Sequence, residues 1–195
     1  MFSFEIGDTE LIDAVLNGDN EAFAGLVSRH QRHVAGFCLS MLSDAQAAED
    51  AAQDVFVKAF TALPGFRGGA SFSTWLYRIA YNHCCNLRRK IARTRQESLD
   101  AMPEAAREKV LRAAAEGEPP HTAPVNPEAA LGALPPAYRA VIAMRLEGLS
   151  YSDIAASLEV SVDSVKARLK RARIILRARL RHFLPQEVSK CTEKK

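Results

Sequence analysis

An all-α fold of two helical bundles joined by a flexible linker is what this sequence predicts, on three observations. Apolar residues recur at three- and four-residue spacing through most of the 195 positions, and alternating strand patterns are nearly absent. Between 93 and 130 the composition shifts to Ala, Glu, Arg and Pro, and GEPPHTAPVNPE offers almost no side chain to bury. Residues 150–182, SYSDIAASLEVSVDSVKARLKRARIILRARLRH, read as a short helix, a turn and a long basic helix. The expected boundaries are a first domain over 8–92, a linker over 93–130, a second domain over 131–184 and a polar tail over 185–195.

Each element has a local reason. Leu11, Ile12, Val15 and Leu16 form a first stripe that Asn17-Gly18-Asp19 ends. Asp19 or Asn20 can cap a longer helix carrying Phe23, Leu26, Val27, His30, Val34, Phe37, Cys38 and Met41. Asp44 caps a third, with Ala48, Ala52, Val55, Phe56 and Ala59 on one side and Pro64-Gly65 as its stop. After the loop PGFRGGAS, Ser73 starts a helix to about Arg89. Beyond the linker, Leu134-Pro135-Pro136 opens a helix through Leu146, which Gly148 breaks.

The final pair is a helix-turn-helix. Ser150 and Asp153 have capping-box spacing for a helix from Tyr151 to about Leu158. Glu159-Val160 supplies the turn, without the glycine often found there, and Ser161 caps the next helix. That helix runs to His182, with Val162, Val165, Leu169, Ala172, Leu176 and Leu180 as its buried stripe. It carries eight bases (Lys166, Arg168, Lys170, Arg171, Arg173, Arg177, Arg179 and Arg181) against one acid, Asp163. A basic helix with one aliphatic side can dock on its own domain while presenting cations to phosphates and base edges. An interfacial membrane helix of this kind would carry bulky aromatics on its apolar side.

Composition narrows the function classes. Hydrophobic residues at 48% and charged ones at 25% are ordinary for a globular chain, and the net charge of +3 is mild, so the argument for nucleic acid rests on where charge sits. The start MFSFEIGDTEL has neither the basic leader nor the apolar core of a signal peptide. No run of about 18 apolar residues spans a membrane. These features predict a cytosolic protein with reduced cysteines and no membrane insertion. Cys38, Cys84, Cys85 and Cys191 form no CxxC pair, and His83, Cys84 and Cys85 are consecutive, so they fan out on a helix. Neither a metal, a cofactor nor an enzymatic constellation is expected.

Two further features stand out in the first domain. Asp50, Gln53 and Asp54 lie within about one helical turn, an acid-amide patch suited to a basic partner helix. FRGGASFSTWLYRIAYNHCCNLRRK pairs a Gly-rich, Arg-containing loop with a helix bearing Phe72, Trp75, Tyr77 and Tyr81 and ending in Arg88, Arg89 and Lys90. Rings interleaved with cations suit single-stranded nucleic acid, because splayed bases stack while cations hold phosphates.

Taken in order, DTELIDAVLNGDNEAFAGLVSRHQ, AEDAAQDVFVKAF, FSTWLYRIAYN with LRR, and LPPAYRAVIAMRLEGLSYSDIAASLEVSVDSVKARLKRAR resemble the extracytoplasmic-function sigma factors, the smallest bacterial transcription initiation factors of the sigma-70 family. The resemblance implies roles. Asp50, Gln53 and Asp54 match the helix that docks on the β′ clamp helices of core RNA polymerase, with the β subunit as a second contact. The loop from Phe66 to Ser71, including Arg67, matches the one that captures a flipped base of the −10 element, with Phe72 beside it. Trp75, Arg78 and Asn82 would face the melting DNA, and Arg88 and Arg89 would hold its backbone. In the last helix, which enters the major groove at the −35 element, Ser164, Ala167, Lys170 and Arg171 point away from the apolar stripe. Lys166, Arg168 and Arg173 are better placed for phosphates. An anti-sigma factor commonly restrains such proteins; the free chain is expected to be a monomer with two mobile domains.

Elementary lengths bound the mechanism. Elements about 25 base pairs apart are separated by roughly 85 Å. A linker of about 30 residues spans at most roughly 100 Å but as a free coil averages only about 30 Å. Polymerase must therefore set the spacing. Unstacking a base costs a few kcal/mol and stacking on a protein ring returns about 1–3 kcal/mol, so one cleft traps an opening without driving a whole bubble. The rival reading, a stand-alone helix-turn-helix repressor or activator, leaves the Asp50/Gln53/Asp54 patch and the aromatic-basic helix without a purpose.

Overall fold

The computed structural model describes residues 6–100, 131–132 and 134–180, and every regular element among them is helical. Helix α1 (Asp8–Leu16) starts where the Glu10 carboxylate turns back to accept the Gly7 N–H at 2.8 Å, and it buries Ile12 and Val15. Ahead of helix α2 (Ala22–Leu42), Asp19 Oδ1 accepts from the Glu21 and Ala22 amides in the preceding turn. It contributes Leu26, Val34, Phe37, Cys38 and Met41 to the core. Helix α3 (Ala45–Ala62) lays Ala48, Ala51, Ala52 and Ala59 against α2, where small side chains let the axes approach. A 3₁₀ turn, Leu63–Gly65, ends it.

The Asp44 carboxylate accepts the Ala47 N–H at 2.7 Å, satisfying one of the free donors of the first turn of α3. Asp44→Ala is expected to lower the unfolding free energy by about 1 kcal/mol, measured by urea denaturation, with asparagine restoring most of it.

Helix α4 (Phe72–Asp100) departs from the expectation at both ends. Ser71, one residue before the helix, accepts the Thr74 N–H at 3.1 Å, so Ser71 and not Ser73 opens it. Its C-terminal part continues past Arg89 to Asp100 as helix. The reason lies in IARTRQESLD, which lacks Gly and Pro and carries an Arg93–Glu97 pair at 3.4 Å one turn apart. The first eight residues assigned to the linker, 93–100, are therefore helical, and 101–130 lie outside the described residues.

The second bundle comprises α5 (Pro136–Leu146), α6 (Tyr151–Leu158) and α7 (Val162–Leu180). Ser150 and Asp153 form the anticipated reciprocal capping box, and Ser161 Oγ accepts the Ser164 N–H at 3.2 Å to start α7. Glu159 takes the left-handed turn conformation at φ 54° that a glycine would adopt more cheaply. The end foreseen for α7 at His182 lies outside the described residues.

The two bundles are in contact. Helix α5 packs on α2 and α6 packs on α4, merging Val141, Met144 and Ile154 with the first bundle's apolar residues in one continuous core. The two bundles, expected as separate domains, are packed against each other. The physical basis of this packing is polar matching that hydrophobic periodicity does not reveal. Arg139 Nη1 donates to the Met41 carbonyl at 2.9 Å, and Ser157 Oγ to the Thr74 carbonyl at 2.9 Å. The His33 ring meets Glu147 at 2.6 Å, and Thr74 Oγ1 donates to Asp153 at 3.3 Å.

Candidate nucleic-acid interface

The loop between α3 and α4 is built to leave a concavity. Gly68 sits at φ +68°, a conformation that side chains disfavour, and Ser71 is tied down by its hydrogen bond to Thr74. The resulting cleft of about 330 Å³ is lined by the Gly-rich loop, Phe66, Arg67, Thr74, Trp75 and Arg78. The Phe66 ring lies 5.2 Å from Trp75 and 6.1 Å from Phe72, and Phe72 lies 5.7 Å from Trp75. Phe66 and Trp75 are half-buried and both line the cleft.

Two residues expected to touch DNA are placed otherwise. Phe72 is only 3% exposed and packs against His30 with ring centroids 5.3 Å apart, so it supports the aromatic cluster from within the core. Arg88 is half-buried and donates to the Met41 carbonyl at 3.3 Å, holding the end of α2 instead of facing solvent. The remaining candidates are accessible. Arg67, Ser71, Asn82 and Arg89 are exposed, and Arg89 pairs locally with Asn86 at 2.7 Å. Arg78 reaches out of the cleft to the Glu159 carboxylate at 3.4 Å.

Asp50, Gln53 and Asp54 are all exposed on α3. Gln46 donates to Asp50 at 3.2 Å, while Asp54 lies 3.9 Å from Lys58 and 3.2 Å from the His83 ring. Burial and, secondarily, the nearby Lys58 charge hold His83 below its ordinary pKa against the pull of Asp54. Gln53 and Glu49 also border an apolar groove of about 730 Å³ between α2 and α3, floored by Val27, Ala48 and Phe56. The pairing with His83 escaped sequence reasoning, because the two residues sit on different helices.

On α7 the spacing argument transfers to the centre of the stripe. Val165, Leu169 and Ala172 of the expected stripe are buried, Leu176 and Leu180 are half-buried and Val162 at the helix start is exposed; Lys166, Ala167, Lys170, Arg171 and Arg173 are exposed. Ser164 is half-buried, with its hydroxyl 2.9 Å from that of Ser161. Arg168 is also half-buried; its charge partly offsets the rise that burial imposes on the Tyr81 hydroxyl, which places it toward α4 and not toward open solvent. Lys166 pairs with Asp163 at 3.4 Å, a contact weak enough at the surface to yield to a phosphate. Among the described residues there is no cluster of three or more metal-ligating side chains, and no helix is long and apolar enough to cross a membrane.

Residues 26–94 match the family described as sigma-70 region 2, and residues 128–176 match sigma-70, region 4. The RNA polymerase sigma-H factor of Pseudomonas aeruginosa is 37% identical over 175 residues, covering 85% of this chain and 90% of that protein. The chain belongs to the extracytoplasmic-function sigma factors of the sigma-70 family. The ECF RNA polymerase sigma-E factor of Escherichia coli K12 is 36% identical over 179 residues, 88% of this sigma factor and 93% of that one. Two solved structures share the fold. CnrH in complex with the cytosolic domain of CnrY aligns at TM-score 0.66 and 30% identity over 89% of this chain and 97% of that one. The sigma factor RpoE, in complex with the anti-sigma factor NepR from Bartonella quintana, aligns at 0.65 and 25% over 83% and 98%. This sigma factor binds core RNA polymerase and directs it to promoters through their −35 and −10 elements, where it nucleates melting.

Proposed function

We propose that the promoter is read by two surfaces, the cleft between Phe66 and Arg78 at the −10 element and the exposed face of α7 at the −35 element. The observation that carries this reading is the cleft itself, with two half-buried rings and two guanidinium groups around one concavity. A flipped base stacks on Phe66 or Trp75 while Arg67 and Arg78 neutralise its phosphates. Asn82 and Arg89 extend the track along the strand, and Ser71 fixes the loop. On α7, Arg171 contacts a guanine edge in bidentate fashion, with Lys170, Ala167 and Ser164 beside it and Lys166 and Arg173 on phosphates.

Core polymerase docks through Asp50, Gln53 and Asp54, which meet the basic side of the β′ clamp helices; the β subunit takes the second bundle. Both structural relatives were solved in a complex, with the cytosolic domain of CnrY in one case and with the anti-sigma factor NepR in the other. By that likeness an anti-sigma factor restrains this chain as well.

The −35 assignment is tested with duplexes selected from a random library. Arg171→Ala is expected to lose about 1–3 kcal/mol on the selected duplex and little on a scrambled one. Lys166→Ala weakens both alike and lowers the salt slope by about 0.9. Equal losses on the two duplexes for Arg171→Ala would remove that residue from base reading.

A further inference from the structure

The acidic patch on α3 is braced from a second helix. His83 of α4 is only 9% exposed on its side chain, and its Nε2 is buried without a well-aligned hydrogen bond, although Asp54 Oδ2 lies 3.2 Å away. Asp54 is the reverse case, 58% exposed on its side chain and so able to turn. An unmatched buried nitrogen costs more than fixing one exposed carboxylate, so the two settle together. The carboxylate also selects the tautomer that carries its hydrogen on Nε2.

A second group competes for the same oxygen. Lys58 stands one turn further along α3, with its ammonium 3.9 Å from Asp54 Oδ2 and half of its side chain exposed. An acid followed four residues later by a lysine forms an ion pair along the helix surface. That pairing cancels the negative charge where it stands. A neutral imidazole on the neighbouring helix holds a carboxylate without cancelling it.

We propose that His83 is a positioning residue for polymerase docking, which keeps the Asp54 carboxylate off Lys58 and presents it, with its charge intact, to a basic helix of the partner. This inference rests on Asp54 belonging to the docking surface. His83 itself is too deeply placed to touch the partner and acts through Asp54 alone.

The arrangement carries a pH dependence of defined sign. Asp54 and Lys58, both on α3, are the charged groups whose fields act on the ring, one favouring and one opposing its protonation. Burial sides with Lys58, so the ring takes up its proton below the pH of an ordinary histidine. Once charged, it cancels Asp54 as Lys58 would and adds a cation beside a basic partner. Docking therefore weakens as the pH falls.

Affinity of the full-length chain for core polymerase is measured by competition against a labelled sigma factor, from about pH 8 to about pH 5.5. Apparent affinity scales with the fraction of chains that hold the carboxylate in its productive rotamer, so His83→Leu is expected to lose roughly threefold to tenfold at the upper pH. His83→Gln, whose amide can donate to the same oxygen, should stay within about twofold of the wild type there. Adding Lys58→Met to His83→Leu removes the competitor and should restore most of the loss, a rescue that a purely structural role would not allow. The ratio of wild-type to His83→Gln affinity cancels titrations elsewhere on either protein, and it should fall with pH because only the wild type has a ring to charge. Circular dichroism establishes that each variant is folded; should His83→Leu unfold, the pH ratio decides alone. A loss that Lys58→Met does not restore, no loss in a folded His83→Leu, or a ratio flat with pH overturns the positioning role. Asp54→Asn separates the two readings, since it should lose at least as much as His83→Leu. Wild-type affinity in Asp54→Asn removes Asp54 from the docking surface, and the proposal with it.

Discussion

Replacing Arg139 by alanine is expected to lower the unfolding free energy by about 3 kcal/mol. The side chain is 3% exposed, and among the described residues its guanidinium has no carboxylate partner within hydrogen-bond reach. It donates instead to backbone carbonyls: Met41 at 2.9 Å, Leu134 at 3.0 Å, and Gly132. Met41 lies in the last turn of α2, where unpaired carbonyls and the helix dipole favour a cation. Burial, with a smaller push from Arg88, lowers the Arg139 pKa to about 10, so the group stays charged at neutral pH and relies on these acceptors. Alanine would leave them buried and largely unmatched, although Arg88 still reaches Met41. Urea denaturation measures the loss. Lysine, a point charge without the planar fork, should recover only part of it, and full recovery by lysine would contradict the account of carbonyl bridging.

Asp50→Arg combined with Gln53→Ala is expected to cost about 100-fold or more in affinity for core polymerase, equivalent to roughly 2.7 kcal/mol. Both side chains are exposed and neither joins the core, so helix content and the unfolding midpoint should hardly move. Reversing the charge sets like against like at the clamp helices, and such juxtaposition at an interface costs several kcal/mol. Competition against a labelled sigma factor for core enzyme, read by fluorescence anisotropy, gives the number directly. An affinity within threefold of the wild type would place the docking surface elsewhere on the molecule.

How much of this was legible beforehand depended on whether the signal was local. The caps at Asp44, Ser150 and Ser161 are short-range chemistry, and each is where the spacing put it. The buried centre of the α7 stripe, Val165, Leu169 and Ala172, followed from periodicity, whereas Val162 at its start is exposed and Leu176 and Leu180 are half-buried. Phe72 was misplaced because an aromatic residue beside a glycine-rich loop reads the same whether its ring faces a ligand or His30. The bond from Arg88 to the Met41 carbonyl was not legible either, because a cation in the sequence gives no hint that a carbonyl 47 positions away lies within its reach. The contact between the bundles was invisible in principle. It is made by Arg139, Ser157, Glu147 and Glu159 with partners some 80 to 115 positions earlier in the chain, and no pattern along the sequence encodes such pairs. The extension of α4 to Asp100 was legible in the lack of Gly and Pro, but the polar composition of that stretch masked it.

Run-off transcription on a library of bacterial genomic fragments, using core polymerase freed of other sigma factors, tests the central claim most directly. With the protein added, discrete new transcripts are expected, and aligning their start sites should reveal two shared elements upstream. The Asp50→Arg, Gln53→Ala variant should give none of them while still binding duplex DNA through α7. Absence of any protein-dependent transcript, together with tight sequence-specific duplex binding by the protein alone, would contradict the assignment of polymerase docking to the first bundle.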